Sequence, residues 1–190
     1  MNEQQFSAIK WYFVSFITFS IWSLLLWQYS HGGVPSHYFL QRADMPELSN
    51  WWGALLLPVL TWLAMARIQK RLFMPATTPA TKDIRLLTIQ VLLSFIIALC
   101  YGAILSLAFF TGNAAVSAVM FPAILFFALF FRVYRAEFIL GLILGMSITF
   151  GAVLPTIFAT LIALASAVVY FSVRFIYAQI KNITANKQVS

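Results

Sequence analysis

The sequence predicts an all-α, polytopic membrane protein: a six-helix transmembrane bundle with an ordered outer loop between helices 1 and 2. Three observations predict it. Charged residues make up only 9% of the 190 residues, against 62% hydrophobic, where a soluble domain carries about 25% charged. Water does not solvate a surface so poor in charge, so the expected solvent is lipid. The apolar residues fall into runs close to the roughly 20 residues that cross a bilayer. The basic residues cluster at the ends of those runs, nearly all on one side.

The first apolar run is 11–29, opened by Lys10. It lacks a small-residue cleavage site and its basic approach is weak, so a retained signal anchor is expected. The second run, 51–66, is stopped by Arg67, Lys70 and Arg71. The third, 86–110, ends at Thr111-Gly112-Asn113, and the fourth, 114–131, at Arg132 and Arg135. Residues 138–177 are too long for one span, at about 60 Å for a continuous helix. Gly151 and Pro155 supply a break, because Gly suits a helix end and Pro a first helical turn. Span five is then 138–152 and span six 155–177. Span five is short, which implies local bilayer thinning or a helix that stops below the outer surface. Pro58 and Pro122 are expected to kink spans two and four.

Orientation follows from charge. Six spans place Lys10, Arg67, Lys70, Arg71, Lys82, Arg85, Arg132, Arg135, Arg174, Lys181 and Lys187 on one side and Arg42 alone on the other. The positive-inside rule makes the first side cytoplasmic, with both termini on it. Five spans would strand the last three basic residues outside. The expected location is a plasma membrane of the bacterial inner-membrane type. The net charge of +7 is read as topogenic, with anionic lipid contact, because no basic stripe suggests nucleic acid. Residues 74–81 are Pro/Thr-rich and read as an extended connector, and the polar tail after Lys181 is expected to fray.

Little within the spans can carry chemistry. No Asp, Glu, Lys, Arg or His lies near the middle of any of them, which argues against a pump or a transporter with an acidic relay. The polar groups there are Ser15, Thr18, Ser20, Ser23, Gln90, Ser94, Ser147 and Thr149. Such hydroxyls commonly bond their own backbone or a neighbouring helix. Cys100 is the single cysteine, so no internal disulfide or cysteine metal framework forms, and it reads as a small buried hydrophobe. Motifs of rhomboid-type, paired-acid, C-x-x-C and retinal-lysine sites are missing. No cofactor is implied.

The outer loop, 30–50, concentrates the outward-facing ionisable groups. His31, His37, Arg42, Asp44 and Glu47 lie there, followed by Trp51 and Trp52. Gly32 and Gly33 allow backbone shapes closed to other residues. A short surface helix is expected from Pro35 or Ser36 through Leu40, with Tyr38, Trp51 and Trp52 in the aromatic belt. Three readings of this loop compete. It caps the outer helix ends, with His31, Arg42, Asp44 and Glu47 satisfying one another. It binds a lipid headgroup or small polar ligand, with Arg42 on the anion and Trp51 and Trp52 framing it. Or it forms a metal or hydrolytic site from His31, His37, Asp44 and Glu47, although the spacing matches no compact ligand motif.

Helix packing has its own signal. Gly141 and Gly145 form G-x-x-x-G in span five, and Ala159, Ala163 and Ala167 form a small-residue stripe in span six. The two are expected to pack on each other, or to form a seam for a second copy or a partner protein. Membrane lipids are the expected partners. The leading functional reading is a non-enzymatic protein whose outer loop binds a lipid headgroup, small ligand or partner. The alternatives are a membrane-embedded enzyme acting on a lipid or envelope precursor at that loop, and a passive channel or exporter lined by hydroxyls.

Overall fold

The computed structural model describes residues 2–34, 36–38, 47–74, 81–130 and 132–189, with the side chains of 37, 38, 47, 48, 81–83, 121, 129, 130, 176 and 178–189 left aside. It is helical almost throughout. The helices are α1 (Glu3–Ser30), α2 (Gly53–Phe73), α3 (Thr81–Phe110), α4 (Ala114–Phe130), α5 (Ala136–Phe150) and α6 (Val153–Val189). Four of them contain segments long and apolar enough to cross a membrane: Glu3–Ser30, Asn50–Phe73, Ile84–Phe110 and Val153–Phe175. α4 and α5 are shorter, with 17 and 15 residues.

The helices overrun their apolar cores for local reasons. α1 starts eight residues before Trp11 because Asn2 and Gln5 form a capping box: the Gln5 amide donates to Asn2 Oδ1 at 2.8 Å and the Asn2 amide to Gln5 Oε1 at 2.9 Å. That satisfies two donors otherwise orphaned at a helix start. α6 continues to Val189, so the backbone of the polar tail is helical where fraying was expected. Lys, Gln and Ala are good helix formers, and the helix already nucleated in the apolar segment propagates into them. Hydroxyls on the apolar helices mostly return to their own backbone. Thr18 bonds the Val14 carbonyl, Thr61 that of Leu57 and Thr88 that of Ile84.

The outer surface of the bundle is inverted relative to a soluble protein. Phe19 is 75% exposed, Ile148 75% and Phe110 80%. Soluble monomers rarely expose contiguous apolar patches beyond a few hundred Å², so this face belongs against lipid. Cys100 lies on it, exposed and free; the expectation that it is buried fails because its side of α3 turns away from the core.

α5 is the shortest α-helix, and nearly half of its residues are buried. It contacts α2, α3 and α6, and it buries Glu137, Leu140, Gly141, Leu142, Ile143, Gly145 and Met146. At 1.5 Å per residue it is about 22 Å long, short of a hydrocarbon core of about 30 Å. Being enclosed by protein, most of its length need not match the bilayer.

The partner of the G-x-x-x-G face corrects the sequence reading. Gly141 lies against Phe95, Ala98 and Leu99, and Gly145 against Leu99, Gly102 and Ala103. The helix they meet is α3, running parallel to α5, and not α6. A Cβ on either would run into a backbone carbonyl oxygen, of Phe95 and Leu99 respectively, and one on Gly102 would come to 2.7 Å from the Leu142 carbonyl oxygen. The close approach lets the Ser106 hydroxyl donate to the Gly145 carbonyl at 3.2 Å. α3 supplies a matching small-residue row, Ala98, Gly102 and Ser106, at four-residue spacing. Glycine meets glycine because only that combination brings two backbones so close. On α6 the buried face runs through Pro155, Ala159, Ile162 and Ser166, with Ala163 and Ala167 half-buried beside it. That face packs on α4 and α5.

The loop after α1 also departs from expectation. Gly32 and Gly33 have φ of 113° and 103°, the left-handed region that glycine tolerates. Residues Ser36–Tyr38 then form a strand, β1, paired antiparallel with β2 (Glu47–Ser49), with Ser36 opposite Ser49 and Tyr38 opposite Glu47. A surface helix from residue 35 or 36 is therefore excluded. An isolated helix that short is unstable, whereas pairing gives each segment backbone partners in the other. A 3-10 turn at Asn50–Trp52 leads into α2.

Candidate functional site

The end of the bundle that carries the α1–α2 loop is held by ordinary packing contacts. Pro58 has no N–H, which leaves the Ala54 carbonyl of α2 without its helical donor. The indole of Trp22 on α1 supplies one at 3.0 Å. Asn50 sits against Gly151, whose φ of 70° turns α5 into α6. Gly53 lies beside the side chains of Ala152 and Ile21. The start of α2 thus covers the α5–α6 turn.

Of the outer-loop candidates, three side chains are described. His31 folds back on its own helix, stacked on Trp27 at 4.7 Å between ring centroids, with Nδ1 2.9 Å from the Trp27 carbonyl oxygen. Trp51 meets Tyr29 edge-on at 6.2 Å, and Trp52 is exposed. For His37 and Glu47 only the strand backbone is described, and Arg42 and Asp44 lie outside the described residues. Among the described residues no three His, Cys, Asp or Glu side chains converge on a common point.

The opposite end, where the helices carry their basic residues, holds a more developed arrangement. Arg71 in the last turn of α2 reaches Glu137 in the first turn of α5. Nη2 donates to Oε1 at 2.9 Å and Nη1 to Oε2 at 3.2 Å. The Glu137 side chain is 1% exposed and that of Arg71 31%. A carboxylate is favoured at a helix N-terminus, and the forked guanidinium matches it oxygen for oxygen. Nearby, Lys10 donates to Gln69 Oε1 at 2.9 Å, tying α1 to α2.

Beside this pair lies a half-enclosed cleft of about 650 Å³, lined by residues of α3, α4, the α4–α5 connection and the first turn of α5. Gln90, Ser94, Ile97 and Tyr101 of α3 line it. Their spacing of four, three and four residues puts them on one helix face. Ile124 and Phe127 of α4 form the opposing apolar wall, and Arg132, Val133, Arg135 and Phe138 its basic end. Ile97 and Phe127 are 60% and 46% exposed, so the cleft opens on the apolar outer surface of the bundle. From Gln90 to Tyr101 it follows α3 for about 16 Å, close to half of the roughly 30 Å hydrocarbon core. At its deep end the Tyr101 hydroxyl donates to the Met120 carbonyl of α4 and fixes the separation of the walls. The side chains of Gln90 and Ser94 make no hydrogen bond among the described residues.

The basic end is electrostatically unbalanced. Arg132 lies over the Tyr170 ring at 5.0 Å, and Tyr134 packs on Tyr170 and Phe171. Burial and the adjacent Arg71 guanidinium pull Arg135 below the ordinary arginine value; Glu137 opposes this and Arg132 adds to it. Among the described residues Glu137 is the one carboxylate beside Arg71 and Arg135, with Arg132 adding a third positive charge near Arg135. Nothing in sequence spacing pointed to this group. Arg71, Arg132 and Arg135 read as topogenic charge, and Glu137 stands just before span five. Gln90 and Ser94 stood among the mid-span polar groups of the sequence, and their four-residue spacing on α3 was the one signal that could have paired them.

Comparison with family models, with curated proteins and with solved structures finds no match for this chain.

Proposed function

We propose that this is a multi-pass membrane protein, of a bacterial inner-membrane type, that binds a lipid in the cleft between α3 and α4. The observation that carries the reading is the cleft itself: apolar walls about one leaflet deep, open toward lipid, ending at Arg132 and Arg135. Its volume of about 650 Å³ falls in the range of about 300–1,000 Å³ typical of small-molecule sites. All six helices cross the bilayer in this reading, α5 doing so inside a sheath of protein. Both termini face the cytoplasm, which puts the arginines at the cytoplasmic headgroup level, where anionic lipids gather. The outer loop acts as a cap, in keeping with Asn50 and Gly53 against the α5–α6 turn. A role for His31, His37, Arg42, Asp44 and Glu47 in holding a second ligand rests on their sequence clustering alone.

The test is occlusion. Ser94→Trp places an indole within the cleft, and the amount of lipid carried through purification is measured by native mass spectrometry. Retained lipid should fall to the level of a control substitution on the far side of α3, such as Leu107→Trp, while thermal stability stays comparable between the two. Equal lipid retention in Ser94→Trp and wild type would remove the cleft as the site.

A further inference from the structure

We infer that the lipid held in this cleft is a phosphate monoester, its chain along α3 and its doubly charged phosphate between Arg132 and Arg135. The inference rests on the lipid-cleft reading and deepens it by naming the headgroup. Its basis is charge balance. Arg132 and Arg135 line the mouth with Arg71 close to Arg135, and among the described residues the one acid paired with any of the three is Glu137, already engaged by both Nη atoms of Arg71. Among the described residues no carboxylate is left to pair with Arg132 or Arg135. Arg71 and Arg132 both repel Arg135, which is half-buried, and after burial that repulsion is among the causes that hold Arg135 below its ordinary value. A phosphodiester brings one negative charge, whereas a phosphomonoester brings about 1.5 to 2 at neutral pH, with three acceptor oxygens. Guanidinium groups bind such oxygens in paired hydrogen bonds. Gln90 and Ser94 then face the first part of the chain, where an ester or hydroxyl group next to the phosphate can pair with them. The walls beyond, Ile97, Ile124 and Phe127, are apolar and offer a headgroup nothing. A free phosphate would leave that part of the cleft empty.

The experiment uses the full chain in nanodiscs of phosphatidylcholine doped with equal small amounts of phosphatidate and phosphatidylglycerol. Bound lipid is read by native mass spectrometry after release into detergent. Wild type should retain phosphatidate over phosphatidylglycerol by about tenfold, the effect of one further charged hydrogen bond. Arg132→Gln and Arg135→Gln should each bring the ratio close to one while some lipid remains bound. Arg132→Lys should fall between, keeping charge and losing the paired geometry. If either Gln variant fails to fold, the wild-type ratio and the Lys variant decide the matter. Equal retention of the two anionic lipids by wild type would overturn the monoester and leave the lipid cleft standing. Retention of no lipid would overturn both. Displacement of phosphatidate by millimolar inorganic phosphate would show that the arginines take a free anion and that no lipid is selected.

Discussion

Arg71→Ala should destabilise the protein by about 3–5 kcal/mol, because it leaves a carboxylate buried without its partner. Glu137 is 1% exposed and both of its oxygens accept from Arg71. It sits where α5 begins, beneath α2, and it borders an apolar cavity of about 280 Å³ formed by α1, α2, α3 and α5. No other cation among the described residues bonds it. Glu137→Ala should cost less. It frees Arg71, whose side chain is 31% exposed and can turn toward water or headgroups. The double variant Arg71→Leu/Glu137→Leu should recover most of the loss, since buried ion pairs often gain little over apolar packing of similar volume. The midpoint of thermal unfolding in a single detergent, compared over the four proteins, reads this directly. A double variant no more stable than Arg71→Ala would show that the pair contributes net stability and does more than neutralise itself.

The second large effect belongs to the α3–α5 contact. Gly145→Leu should separate the two helices, and Gly145→Ala alone should already be destabilising, because the added Cβ meets the Leu99 carbonyl oxygen. Overpacking typically costs about 1–3 kcal/mol where side chains can yield. Here the obstacle is backbone, so the cost should lie at or above the top of that range. Gly102→Ala, facing the Leu142 carbonyl at 2.7 Å, should behave alike. Ala163→Leu, on a half-buried position of α6, should be milder. Unfolding midpoints for the Gly145 variants equal to wild type would show that α3 and α5 do not touch along this face.

The helix inventory was legible in the sequence, because lipid demands long apolar runs and Lys and Arg mark where each one leaves it. Helix ends were less so. Asn2 and Gln5 lengthen α1 by capping, a signal present at residue 2 but outside the apolar run used to place the helix. The small-residue face of Gly141 and Gly145 was visible, yet its partner was not. Two rows in the chain fit it, on α6 and on α3. Ala159, Ala163 and Ala167 form an obvious repeat, while Ala98, Gly102 and Ser106 mix residue types. Depth of approach decided between them, and glycine opposite glycine allows the deeper contact. Glu137 was passed over because its partner is 66 positions away and reads as topogenic charge. The same holds for Arg132 and Arg135, whose place beside Gln90 and Ser94 depends on how α4 returns along α3. In the outer loop, Ser36–Tyr38 is too short for any periodicity to separate strand from helix.

A lipid in the α3–α4 cleft requires a chain threaded six times through a bilayer with its basic ends inside. The most direct measurement is cysteine accessibility in intact cells. Cys100 is first replaced by alanine, and single cysteines are placed at Gln41, Asn113, Thr78, Arg132 and Gln188. A membrane-impermeant thiol reagent added outside should label Gln41→Cys and Asn113→Cys. Thr78→Cys, Arg132→Cys and Gln188→Cys should react only after the membrane is permeabilised. Labelling of Arg132→Cys from outside would break the crossing of α4 and α5, and labelling of Gln188→Cys from outside would contradict the six-span account.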